Sequence, residues 1–93
     1  MGEKSTQIER EELRRLTLAY LAQRQTLEFR VEAITRGLNR EHGGTWTDED
    51  TEGALAFLAG AGWVAAVERA LVRTRSWQAT TGGVVAHEKG ALA

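Results

Sequence analysis

Four acids fall within five positions in the stretch "TDEDTEGALAFL": Asp48, Glu49, Asp50 and Glu52, with Gly53 following. The alternation Asp48-x-Asp50-x-Glu52-Gly53 has the spacing that opens a calcium loop. Such a loop also needs oxygen from its ninth position and a bidentate carboxylate from its twelfth. Here those positions are Ala56 and Ala59, which supply neither. A helix start accounts for the same acids without a metal. Thr47 and Asp50 have the spacing of an N-terminal cap, and first-turn carboxylates face the positive end of the helix dipole. The other reactive residues form no constellation. Cysteine is absent, and His42 and His87 have no ligand-spaced partners, so zinc is excluded. Ser5 and Ser76 lack a nucleophile setting, and "TTGG" matches neither a phosphate loop nor a dinucleotide fingerprint. Nothing in the chain argues for an enzyme or a cofactor.

The chain of 93 residues is expected to form one domain over 1–93, with 1–5 and 90–93 as disordered tails. With 42% hydrophobic and 27% charged residues it reads as an ordinary globular protein. Its polar N-terminus and its lack of a long apolar run predict no signal peptide and no membrane span. The absence of cysteine fits a cytoplasmic setting. The net charge of −1 is unevenly laid out. Residues 41–68 hold six acids and neither Lys nor Arg, so a basic footprint for nucleic acid can lie only before or after them.

The elements that must position these residues follow from periodicity. "TQIEREELRRLTLAYLAQR" predicts a first helix capped by Thr6 and Glu9, with Leu13, Leu16 and Tyr20 on one face. The next segment reads two ways. Leu27, Phe29 and Val31 alternate like a strand, whereas Leu27, Val31, Ile34 and Leu38 recur like a helix. A helix from about Leu27 to Arg40, ended by Gly43-Gly44, is the expectation, with its first turn allowed to be extended. "TDEDTEGALAFLAGAG" predicts a third helix that buries Thr51, Ala54, Leu55, Leu58 and Ala61. A β-hairpin turning near Arg69 to Val72 comes next, then a short helix capped by Thr80. Trp63 and Trp77 are expected in the core. Trp46, just before the cap of the third helix, is expected to form a hydrophobic staple and to stay partly exposed.

The fold class is therefore mainly α with a small β-hairpin, and the local sequence adds a resemblance. "ALAFLAGAGWV" followed by "WQATTGGVVAHEKG" resembles the winged-helix (winged helix-turn-helix) pattern, carried here by Leu58, Gly62, Trp63, Val64, Thr80 and Gly83. From about Leu13 to Ala91 the chain is similar to the small winged-helix proteins of Mu-like phages and prophages. It departs from them in having no glycine at the turn of the wing. The resemblance implies three helices, a wing and a short last helix. It also implies DNA binding, led by the third helix.

The residues of that helix oppose such a role. The face opposite Leu55 and Leu58 carries Glu49, Glu52, Gly53, Ala56 and Gly60. Duplex DNA is a dense line of negative charge, and base readout prefers Arg, Lys, Asn and Gln. A strip of glycine and alanine beside carboxylates suits close approach by another protein, a second copy included. The expected function is thus a non-enzymatic module of phage or prophage type with a regulatory or adaptor role in the bacterial cytoplasm. It would bind a protein through Trp46, Glu49, Glu52, Gly53, Ala56 and Gly60. The alternative is a DNA-binding transcriptional regulator using Arg69, Arg73 and Arg75 of the wing and Arg30, Arg36 and Arg40 of the second helix.

Overall fold

The structure, a computed structural model, describes the backbone of residues 3–69 and 72–92 and the side chains of 9–68 and 75–92. The chain runs α1 (Glu3–Ala22), β1 (Phe29–Arg30), α2 (Val31–His42), α3 (Asp48–Gly60), β2 (Val64–Arg69), β3 (Val72–Ala79) and α4 (Thr81–Glu88). The strands form an antiparallel sheet in the order β1-β3-β2. This α+β domain, mainly helical with a small sheet, has a winged-helix-like layout.

Two helix starts differ from expectation. The first begins at Glu3, so Thr6 lies inside α1 and is not its cap. Glu3 and Lys4 are good helix formers and carry the helix one turn further back. The second helix begins at Val31 rather than near Leu27. Phe29 and Arg30 form a strand, pairing with Trp77 and Ser76 of β3. The alternating reading was the right one there. A partner strand satisfies backbone groups that a first helical turn would leave open. Leu27 is left 53% exposed and takes no part in the core.

The core is built on helical spacing. Leu13, Leu16 and Leu21 of α1 meet Ile34 and Leu38 of α2 and Ala54, Leu55 and Leu58 of α3. Val64, Trp77, Ala79 and Ala86 extend it to the sheet and α4. Trp77 is buried, and Trp63 is half-buried against the same cluster. Ala61 is exposed, because α3 ends at Gly60 and the chain turns away through Gly62 at φ 79°. That turn carries paired bonds from Gly62 to Ala59 and from Trp63 to Leu58, which close the helix and aim the chain into β2.

The hairpin forms where expected, with Val64 opposite Ala79 and Arg69 opposite Val72. Its register shifts between Val67 and Arg69. The expected turn near Arg69 to Val72 falls in part on residues 70–71, which lie outside the described residues. Thr80 caps α4 by accepting from the Gly83 amide at 3.0 Å. Gly83 is required at that position, since a Cβ would stand 1.9 Å from the Trp63 carbonyl oxygen. Leu92, beyond α4, packs against the core.

Candidate interaction surface on the third helix

The start of α3 is held by side chains from two helices. Thr47 accepts from the Asp50 amide at 3.2 Å, and the Asp50 carboxylate accepts from the Thr47 amide at 2.9 Å. This is the reciprocal capping box that Thr47 and Asp50 predicted. The preceding loop is clamped by Asn39 of α2. Its amide donates to the Trp46 carbonyl and accepts from the Trp46 amide, both at 2.9 Å. One turn into α3, the buried Thr51 hydroxyl lies 2.7 Å from that of Thr35 on α2. Each is also within reach of its own helix's carbonyl four residues back, Thr47 at 3.3 Å and Val31 at 3.0 Å. Two hydroxyl protons serve three contacts, so the pair is satisfied within the core.

Trp46 is half-buried and folds back over Gly44, where a Cβ would meet its ring at 2.5 Å. The expected staple has no apolar partner, because the fourth helical position is Thr51, committed to Thr35. Trp46 instead helps line an open groove of about 440 Å³ between α1 and α3. Glu9, Arg10, Leu13 and Arg14 line it from α1, and Glu49, Asp50, Gly53 and Ala54 from α3.

The outward face of α3 is as the spacing predicted. Glu49, Glu52, Gly53, Ala56 and Gly60 are all exposed, as are Asp48 and Asp50. No neighbouring atom comes within 4 Å of a Cβ placed at Gly53 or at Gly60. The candidates nevertheless divide. Trp46, Glu49 and Gly53 line the groove, while Glu52, Ala56 and Gly60 are not among its lining residues. Sequence reasoning missed Phe57, which is 42% exposed with the Arg14 guanidinium 3.9 Å from its ring centroid. The signal was present: 53, 56, 57 and 60 share the i, i+3, i+4, i+7 spacing of one helix face. Asn39 was also missed, and nothing local to it announces a bond seven residues along the chain.

The cationic candidates whose side chains are described do not gather on one surface. Arg36 and Arg40 are exposed one turn apart on α2, and Arg30 is exposed on β1 immediately before that helix. Arg30 stands opposite Ser76. Arg75, adjacent to Ser76, therefore projects from the other face of the sheet. There Arg75 pairs with Glu68 at 3.0 Å and lies 5.8 Å from the Trp77 ring centroid. The side chains of Arg69 and Arg73 lie outside the described residues.

Among the described residues no group of three His, Cys, Asp or Glu is placed to hold a metal ion. No described helix is long and apolar enough to cross a membrane. Comparison with protein-family models and with curated proteins gives no match.

Proposed function

We propose that this chain is a non-enzymatic winged-helix binding module of phage or prophage type. It acts as a regulator or adaptor in the bacterial cytoplasm by docking a protein on the outward face of α3. One observation carries the reading. That face is open to solvent, takes carboxylates at its start and no Lys or Arg from α3 itself, and continues as a strip of glycine and alanine beside Phe57. DNA would meet Asp48, Glu49, Asp50 and Glu52 first, and the duplex repels them. A protein backbone can approach the bare strip closely.

Charge also selects between a foreign partner and a second copy. In an antiparallel pair of α3 helices, the acids of one would meet the negative C-terminal end of the other. A heterologous partner bearing cations avoids that repulsion.

The alternative, backbone-led DNA binding, draws on the exposed pair Arg36 and Arg40. The test compares wild-type protein with Ala56→Arg, each immobilised and exposed to extract of a bacterial host. The expected result is a partner captured by the first and lost by the second. A parallel amide-shift titration with duplex DNA at low salt is expected to leave α2 unmoved. Salt-sensitive shifts at Arg30, Arg36 and Arg40 would install the DNA reading instead. A dimer in light scattering, dispersed by Ala56→Arg, would replace the foreign partner by a second copy.

A further inference from the structure

We infer that the open edge of β2 pairs antiparallel with the same edge of a second copy, joining two sheets about a two-fold axis at Ala65. The inference goes beyond docking on α3 and uses a different surface. It starts from the direction of the backbone groups. Thr80 donates its amide to the Trp63 carbonyl at 3.0 Å, one step before Val64 meets Ala79. In an antiparallel ladder, bonded and non-bonded pairs alternate. Ala65 and Val67 therefore turn their amides and carbonyls to β3, whereas Val64 and Ala66 turn theirs away from it. β2 stands at the edge of the sheet, so no strand of this chain meets them there. Among the described residues, no backbone bond outside the strand pairing involves Val64 or Ala66. The opposite edge is β1, whose two residues are too few to template a partner.

Proteins ordinarily block such an edge with proline, lysine or another charge. The chain has no proline, and Trp63 to Val67 holds no charge. Ala65 and Ala66 are exposed and too small to cover the backbone. The register shift falls beyond Val67, where it ends the edge rather than guarding its middle. Charge then selects the occupant and its direction. With the axis at Ala65, Val64 of each copy faces Ala66 of the other, and the free amides and carbonyls of both are satisfied. Ala65 meets Ala65 of the second copy, methyl against methyl. Glu68 falls opposite Gly62, which is exposed and has open space at its Cβ position. The two Glu68 carboxylates then lie about 20 Å apart along the strands, well past a screening length of about 8 Å. Each is also paired with Arg75 of its own hairpin. A parallel arrangement would instead set Glu68 beside Glu68. A net charge of −1 per chain adds little repulsion between copies. The contact is a single short ribbon, so the dimer is weak and depends on concentration.

The test follows the amide spectrum of the full chain from about 20 μM to about 1 mM, with sedimentation velocity alongside. Concentration-dependent shifts and slowed hydrogen exchange are expected at the Val64 and Ala66 amides, with the average mass rising towards two chains. Ala65→Lys sets two ammonium groups face to face and is expected to weaken the dimer about fivefold. Ala65 is exposed, so the circular dichroism of that variant should match wild type. Ala65→Cys gives the chain its one thiol. In a buffer of reduced and oxidised glutathione it should close a disulfide across the axis, where opposed residues stand at bridging distance. Lys89→Cys, exposed at the end of α4, should cross-link far less under the same conditions. A chain that stays monomeric at the highest concentration overturns the inference. So does equal cross-linking of the two cysteine variants, or an Ala65→Lys dimer as tight as wild type. A dimer whose shifts lie between Gly53 and Gly60 overturns it as well and assigns self-association to α3. Capture of a foreign protein on α3 is a separate readout, so either reading can fail alone.

Discussion

The two faces of α3 both lack charge from Gly53 onward and have opposite surroundings. The inner face holds Thr51, Ala54, Leu55 and Leu58, all at most 4% exposed. The outer face holds Gly53, Ala56, Phe57 and Gly60, all exposed. From Gly53 to Val67 the chain contains no charged, hydroxyl or amide side chain, so α3 is apolar on both sides from Gly53 to its end. A helix apolar all round is ordinarily covered all round. In this molecule only half of it is. The inner residues answer to the fold of this chain. Of the outer ones, Phe57 carries the Arg14 guanidinium over its ring, and Gly53 and Gly60 have open space where a side chain would stand.

The largest expected effect separates those duties. Leu58→Ala should lower unfolding stability by about 3 kcal/mol, because a fully buried leucine leaves a cavity that the surrounding helices fill only in part. Phe57→Ala, one residue away, should cost well under half as much, since its ring is already wet on one side and loses chiefly the Arg14 contact. Urea denaturation of the two variants measures the difference. Equal losses would mean that the outer face is part of the core, and the contrast would collapse.

What could be read in advance follows the range of the interactions. The capping box, the inner face of α3 and the Thr80 cap are local, and Thr47, Asp50, Leu55 and Thr80 sit at spacings that announce them. The strand β1 was ambiguous for a physical reason. Phe29 and Val31 suit both a helix and a strand, and only Trp77, far along the chain, decides between them. The same holds for the groove. Its two walls come from residues 9–14 and 46–54, and no local spacing shows that Leu13 and Ala54 will line the same groove. Phe57 was legible by periodicity. Its exposure was not, because an aromatic residue is by default expected to supply core area.

A smaller effect tests whether the acids serve the fold or the surface. Thr47→Ala removes the oxygen that accepts from the Asp50 amide and should cost about 1 kcal/mol. Glu52 lies outside the Thr47–Asp50 capping box, and Glu52→Gln should leave stability within about 0.5 kcal/mol of wild type. Thermal unfolding of both variants gives the comparison. A loss at Glu52 matching that at Thr47 would assign the outer acids a structural role and remove the charge argument for a cationic partner.

The smallest effect carries the sharpest contrast, because stability and binding should move in opposite directions. Gly53 lies within α3, and nothing beyond its own helix backbone and chain neighbours stands within 4 Å of a Cβ placed there. Alanine there avoids the backbone entropy that glycine loses in a helix, so Gly53→Ala should raise stability by about 0.5–1 kcal/mol. The new methyl group also projects into the groove and raises its floor. Capture of a protein that docks on α3 should therefore fall, although the protein itself has become more stable. Calorimetric unfolding and partner capture with the same preparation read both quantities. A variant that gains stability and binds as well as wild type would show that Gly53 keeps no space for a partner. The bare strip would then be a surface of small helix residues and nothing more.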